Sequence, residues 1–254
     1  MLKTRIIPCL LLKDKVLVKG EQFKNYKYIG DPINAVRIFS EKQASELCFL
    51  DIDATAENRI PDLNFITKIA EECDMPFAVG GGIKTIDDVK EILNAGAEKI
   101  VINSQAVENP LLIKEISQTF GNQSVIVSID VKKNKNGKYE VYTHSGTKPT
   151  GLDPLDWACQ AELLGAGEIL LCSIDLDGSM KGYDIPLIKK ISDKVKVPVI
   201  ASGGAGKIKD FNTAIKKGHC SAVAAGSYFV FYGAKRAVLI SYPDDKEVKE
   251  AMKS

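Results

Sequence analysis

An aspartate, Asp130, closes the apolar run "VIVSID", whereas the comparable run "IIPCLLL" near the N-terminus ends in leucines, with Leu11 among them. A carboxylate at the end of an apolar strand can accept and return a proton; a leucine cannot. Asp130 could instead cap a turn or pair with Lys132 or Lys133, but a strand end has little packing reason to carry an acid. Four glycine-rich or small-residue stretches point to a second chemistry: "VGGGIKTIDD", "INSQAVENP", "ASGGAGKIKDF" and "AAGSYFVF". Glycines let backbone N–H groups approach a ligand, and a helix N-terminus adds partial positive charge, so such ends hold phosphate. Glycine also serves tight turns, and a single pair would say little. The pattern occurs twice. Gly82, Asn103 and Ser104 would serve one phosphate, while Asp177, Gly178, Gly204, Gly226 and Ser227 would border the other.

These residues need elements that bring them to one place. Eight β-rich runs recur along the chain: "RIIPCLLL", "ELCFLDID", "PFAVGGG", "KIVINS", "SVIVSIDV", "EILLCSID", "VPVIASGG" and "SAVAAGS". Helix-length amphipathic segments such as "TIDDVKEILNAGA" and "PLDWACQAELLGAG" separate most of them. Near-continuous apolar strands alternating with helices imply a parallel sheet covered on its outer face, and eight units in 254 residues predict an α/β fold, a single (β/α)8 TIM barrel. A doubly wound open sheet is the competing architecture. An internal repeat favours the barrel: "PFAVGGGIKTIDDVKEILNAGAEKIVINS" from Pro76 resembles "PVIASGGAGKIKDFNTAIKKGHCSAVAAGS" from Pro198, 122 residues later. The chain therefore reads as one domain, 1–254, of two half-barrels, about 1–120 and 121–254. The same repeat sets Leu11 opposite Asp130. In such barrels the chemistry sits at the C-terminal strand ends. At the other ends, Arg5, Glu46, Lys99 and Glu168 are each the last charge before an apolar strand. They could be ordinary solvated flanks, or two cations and two anions could close the barrel floor as a mutually paired ring.

Composition removes several function classes. Lys plus Arg number 34 against 33 Asp plus Glu, so no net field favours nucleic acid or an anionic membrane. No apolar run approaches the roughly 18 residues of a spanning helix, and the N-terminus lacks a cleavable leader pattern, which predicts a cytoplasmic protein. Six cysteines without any CxxC spacing, Cys9, Cys48, Cys73, Cys159, Cys172 and Cys220, read as reduced packing residues rather than metal ligands. No metal and no cofactor is expected.

Through "RIIPCL", "VKG", "GDP", "FLDI", "VGGGI", "VINS", "SIDVK", "PTGLD", "GAGEILL", "DLDG", "GYD" and "IASGGAGK", nearly the whole chain resembles the cyclase barrel of imidazole glycerol phosphate synthase. The resemblance implies a barrel that receives ammonia from a glutaminase subunit docked on its N-terminal face, passes it through the interior, and uses it at the mouth on a doubly phosphorylated small molecule. It implies that Arg5, Glu46, Lys99 and Glu168 form the charged ammonia gate, that Lys19 lies in the substrate loop, and that Asp130 is one of two catalytic carboxylates. The second should stand at Leu11. That departure, Asp53 where threonine is usual, and the tail "YFVFYGAKRAVLISYP" resemble a paralogue that works with a glutaminase and a separate synthetase. The paralogue converts an acetamido group of a bacterial surface sugar into an acetamidino group for polysaccharide biosynthesis. Three functions follow: an ammonia-channelling amidotransferase subunit for acetamidino sugars, favoured by Leu11; the cyclase of histidine biosynthesis, with Asp53 or another group covering for Leu11; or a non-catalytic scaffold for the glutaminase.

Overall fold

The computed structural model describes residues 4–253. Eight parallel strands close into a barrel in chain order: β1 (Arg5–Lys13), β2 (Leu47–Asp51), β3 (Phe77–Gly80), β4 (Lys99–Ile102), β5 (Val125–Lys133), β6 (Glu168–Ser173), β7 (Val199–Ser202) and β8 (Ala222–Ala225). Each pairs with its successor, and β8 returns to β1 with Ile6 beside Val223, which completes the ring. The predicted (β/α)8 barrel is the fold, and the open sheet is excluded by that closure.

Outer helices cover the strands: α1 (Pro32–Glu41), α2 (Leu63–Glu72), α3 (Ile86–Asn94), α4 (Leu111–Phe120), α5 (Pro154–Leu163), α6 (Ile185–Ser192), α7 (Ile208–Gly218) and, after β8, α8 (Asp245–Lys253). Their starts are written locally. Asp31 and Asp153 accept a first-turn N–H just before a proline, and Thr85 and Asp88 form a reciprocal capping box on α3. The larger core lies between strands and helices, with Phe39, Phe49, Phe77, Phe211 and Phe229 fully buried.

Strand alternation sorts the rest. On β1, Ile6, Leu10 and Leu12 face the helices, whereas Ile7 and Cys9 belong to a separate apolar cluster inside the barrel. Two antiparallel extensions escape the β/α pattern. β1 continues into a hairpin, Val16–Glu21 against Lys24–Gly30, and β5 pairs with Tyr139–Thr143. Both rise from the C-terminal ends of their strands, over the mouth. Among the described residues no helix is long and apolar enough to cross a membrane.

Candidate active site and barrel floor

Reading inward-facing positions along each strand gives columns that run from charge, through apolar side chains, to polar groups. On β1 the column is Arg5, Ile7, Cys9, Leu11; on β4 it is Lys99, Val101, Asn103; on β6 it is Glu168, Leu170, Cys172. At the bottom the four predicted charges meet. Arg5 contacts Glu46 at 2.8 Å and Glu168 at 2.5 Å, and Lys99 contacts Glu46 at 2.9 Å and Glu168 at 2.7 Å. Cations and anions thus alternate around a closed ring contributed by the first residues of β1, β4 and β6 and the residue just before β2. Burial alone would lower the Lys99 and Arg5 pKa values, but hydrogen bonds and charge from Glu168 and Glu46 outweigh it and hold both above their ordinary range. Burial would likewise raise Glu168, yet its bonds to Arg5 and Lys99 hold it low. The ring is what makes these charges tolerable at the barrel floor.

Above it lies the inner apolar cluster, which includes Ile7, Cys9, Cys48, Ala78, Leu170 and Ala224. All six cysteines are free thiols. Cys9 and Cys172 do more than pack, since both also line the cavity at the mouth.

The mouth cavity measures ≈ 170 Å³. Asp130 and Leu11 share its wall, as the internal repeat predicts, and Leu50 extends the apolar side beside Leu11. Four carboxylates line this cavity, and three have cationic partners: Asp51 with Arg59, Glu108 with Lys148, and Asp177 with Lys19. Asp130 instead accepts neutral hydrogen bonds, from Asn103 Nδ2 at 3.2 Å and Ser128 Oγ at 3.3 Å. Burial pushes its pKa up to about 7, against a smaller downward pull from Ser128. Lys132 and Lys133 do not pair with it; each ammonium lies over a tyrosine ring. Asp53 stands apart from Leu11 and Asp130. Its carboxylate is turned to Lys13, at 2.9 Å and 3.0 Å, and it does not line the cavity.

The shifted pKa makes a stability prediction. A carboxyl with folded pKa near 7 and unfolded pKa near 3.8 favours the folded state in its protonated form, fully so below pH ~4. That contribution is lost as pH rises through 7. Wild type should therefore lose about 2–4 kcal/mol of stability relative to Asp130→Asn between pH 4 and pH 8, the lower figure allowing for solvent in the cavity. Urea unfolding of both proteins across that range measures the difference, and a pH-independent gap would show that Asp130 is not titrated by its burial.

The phosphate-binding candidates divide. Gly82, Asn103, Ser104 and Gly226 lie on the cavity wall; Gly178, Gly204 and Ser227 do not. Two of the glycines have another reason to be glycine. A Cβ on Gly204 (φ +117°) would collide with the Gly182 carbonyl oxygen, and one on Gly178 (φ +74°) with that of Gly20. Asp177 does not border a phosphate as a free acid. Its oxygens accept from Lys19 Nζ at 2.7 Å and 2.9 Å, and Lys19 is only 5 % exposed. Ser227 Oγ is buried, with no hydrogen-bond partner among the described residues. Sequence reasoning missed Phe23, Tyr26 and His144, which line the cavity from the two extensions. For Phe23 and Tyr26 the alternation of charged and aromatic residues in "GEQFKNYKY" was the available signal.

The model of the histidine biosynthesis protein family matches residues 5–235. Three similar proteins are named as putative imidazole glycerol phosphate synthase subunits. They are hisF2 of Pseudomonas aeruginosa, 51% identical across 96% of this chain and 97% of that protein; HisF of Leptospira interrogans, 49% identical across 99% of each; and hisF3 of Vibrio vulnificus, 46% identical across 99% and 97%.

Proposed function

The chain belongs to the histidine biosynthesis protein family, among the HisF-type cyclase subunits, and from that premise we propose that it is the ammonia-using barrel subunit of an imidazole glycerol phosphate synthase. One observation carries the reading: the barrel interior has the paired floor ring at one end and, at the other, Asp130, the mouth carboxylate without a cationic partner. A glutaminase docked on the N-terminal face would release ammonia against Arg5, Glu46, Lys99 and Glu168. The apolar interior favours neutral ammonia over ammonium, because an unpaired charge there would be costly to desolvate. At the mouth, Asp130 is present in both protonation states near neutral pH, so it can take a proton and return it. Gly82, Asn103 and Ser104 on one side, with Gly226 and Lys19 on the other, would hold the ends of a doubly phosphorylated substrate.

Leu11 favours a second reading. It puts a hydrocarbon beside Leu50 where a second acid would be needed to close a ring, which suits an amidotransferase that supplies ammonia to an acetamido sugar with a separate synthetase and cyclises nothing. One experiment separates the readings. Wild type and Leu11→Asp are assayed with ammonium and the doubly phosphorylated intermediate of the imidazole pathway. Cyclase turnover by the unmodified protein, increased by Leu11→Asp by up to about 10²-fold, is the outcome expected of the first reading. Turnover only in Leu11→Asp would transfer the argument to the second. Silence in both would exclude the first reading and leave the amidotransferase that cyclises nothing, or a scaffold for the glutaminase, which an assay with an acetamido sugar and its synthetase separates.

A further inference from the structure

The hairpin after β1 forms the roof of the cavity and is fastened on three sides. Lys19 is paired with Asp177, Phe23 lies against Gly146 in the loop after Tyr139–Thr143, and Glu21 meets Arg236 at 3.2 Å. Two aromatic residues of this roof line the cavity, Phe23 and Tyr26. The Phe23 ring is taken up by Gly146. Tyr26 is seated differently. The hairpin register slips between Lys19 and Glu21, and the irregularity brings Gly20 under the Tyr26 ring, where an added Cβ would lie 2.9 Å from Cδ1. Glycine leaves room there for the Lys24 carbonyl oxygen, with which such a Cβ would collide, and for the edge of the Tyr26 ring. The hydroxyl at the end of that ring has no hydrogen-bond partner among the described residues, although the side chain is partly buried. Burial, then the fields of Asp177, Asp53 and Asp130, push its pKa up to about 12. These acids stand on or just after three different strands, β5, β6 and β2, and two of them, Asp130 and Asp177, line the same cavity as Tyr26. A phenol that stays protonated across the neutral range is a fixed donor.

We propose that Tyr26 is a substrate-contacting, specificity-determining residue whose hydroxyl donates a hydrogen bond to an oxygen in the middle of a doubly phosphorylated ligand. The inference rests on the reading of the cavity as a site for such a substrate. It assigns to the roof the polar contact that Leu11 and Leu50 cannot make from the wall. A ligand bearing a hydroxyl or carbonyl oxygen between its phosphorylated ends is preferred over one with hydrocarbon there, since a buried donor left unpaired is unfavourable.

Titration calorimetry on wild type and Tyr26→Phe, with two probes, tests it. The probes are the doubly phosphorylated imidazole-pathway intermediate and inorganic phosphate. The variant keeps the ring over Gly20 and removes only the hydroxyl. Its affinity for the intermediate should fall about five- to tenfold, as expected for one neutral hydrogen bond, while its affinity for inorganic phosphate stays unchanged. Equal affinity of both proteins for the intermediate would overturn the role of Tyr26 and leave the substrate reading standing. A parallel loss for both probes would also overturn it, because a disturbed roof would act on every ligand. Wild type that binds inorganic phosphate but not the intermediate would overturn the substrate reading, and the inference with it.

Discussion

Asparagine in place of Asp130 should lower ammonium-dependent turnover by about 10² to 10⁴, the range ordinarily supplied by one general acid–base group. The substitution is close to isosteric, so the contacts from Asn103 Nδ2 and Ser128 Oγ can be replaced by similar ones and the cavity keeps its shape. The loss should accordingly appear in kcat, with KM little changed, since proton exchange is needed in the transition state and not for binding. Wild type should also show a limb in its pH–rate profile near pH 7, reflecting the burial that pushes the carboxyl up to about 7, and the variant should lack that limb. Steady-state kinetics from pH 5 to about 9 read both effects. Activity retained within a few-fold would mean that another group exchanges the proton. Among the cavity acids, Asp51, Glu108 and Asp177 are each held by a cation, so none is ready to do so.

Alanine at Glu168 should damage the floor ring more than any other single truncation there. Glu168 bridges both cations, accepting from Arg5 at 2.5 Å and 3.2 Å and from Lys99 at 2.7 Å. Its removal leaves two positive charges sharing Glu46 in a largely buried setting, a change that typically costs about 3–5 kcal/mol. Removing Lys99 as well restores balance, because Arg5 and Glu46 remain as a pair at 2.8 Å. The double variant should therefore be less destabilised than the sum of the two single variants, a coupling that denaturant melts of all four proteins would measure. Function should respond in the same place. With the glutaminase supplying ammonia, the complex carrying the Glu168→Ala barrel should release more glutamate than it makes product, whereas the wild-type ratio stays near unity. Tight stoichiometry in the variant would remove the floor ring from any role in ammonia passage.

The sequence by itself determined the elements and their faces. Eight apolar runs separated by amphipathic helices specify a closed parallel sheet, and the period of two along each strand assigns Ile7, Cys9 and Leu11 to the interior and Leu10 and Leu12 to the helices. These are local properties, set by side-chain hydrophobicity and backbone geometry over a few residues. The repeat is legible in the sequence too, and it sets Leu11 opposite Asp130. What the sequence left open was every partnership across the barrel. The floor charges could have been solvated flanks, because Arg5 and Glu168 lie 163 residues apart and meet only when the eight strands close. Lys19 and Asp177, 158 residues apart, each read as a ligand for substrate, and only the fold shows that they also pair with one another. Gly178 and Gly204 read as phosphate cradles, although the nearest cause is a neighbouring backbone that leaves no room for a Cβ. The hairpin bearing Tyr26 stands outside the alternation of apolar strands and helices. The titration of Asp130 was beyond any motif, because a pKa depends on all the groups that displace water from one carboxyl, and those come from separate strands and loops that only the folded chain brings together.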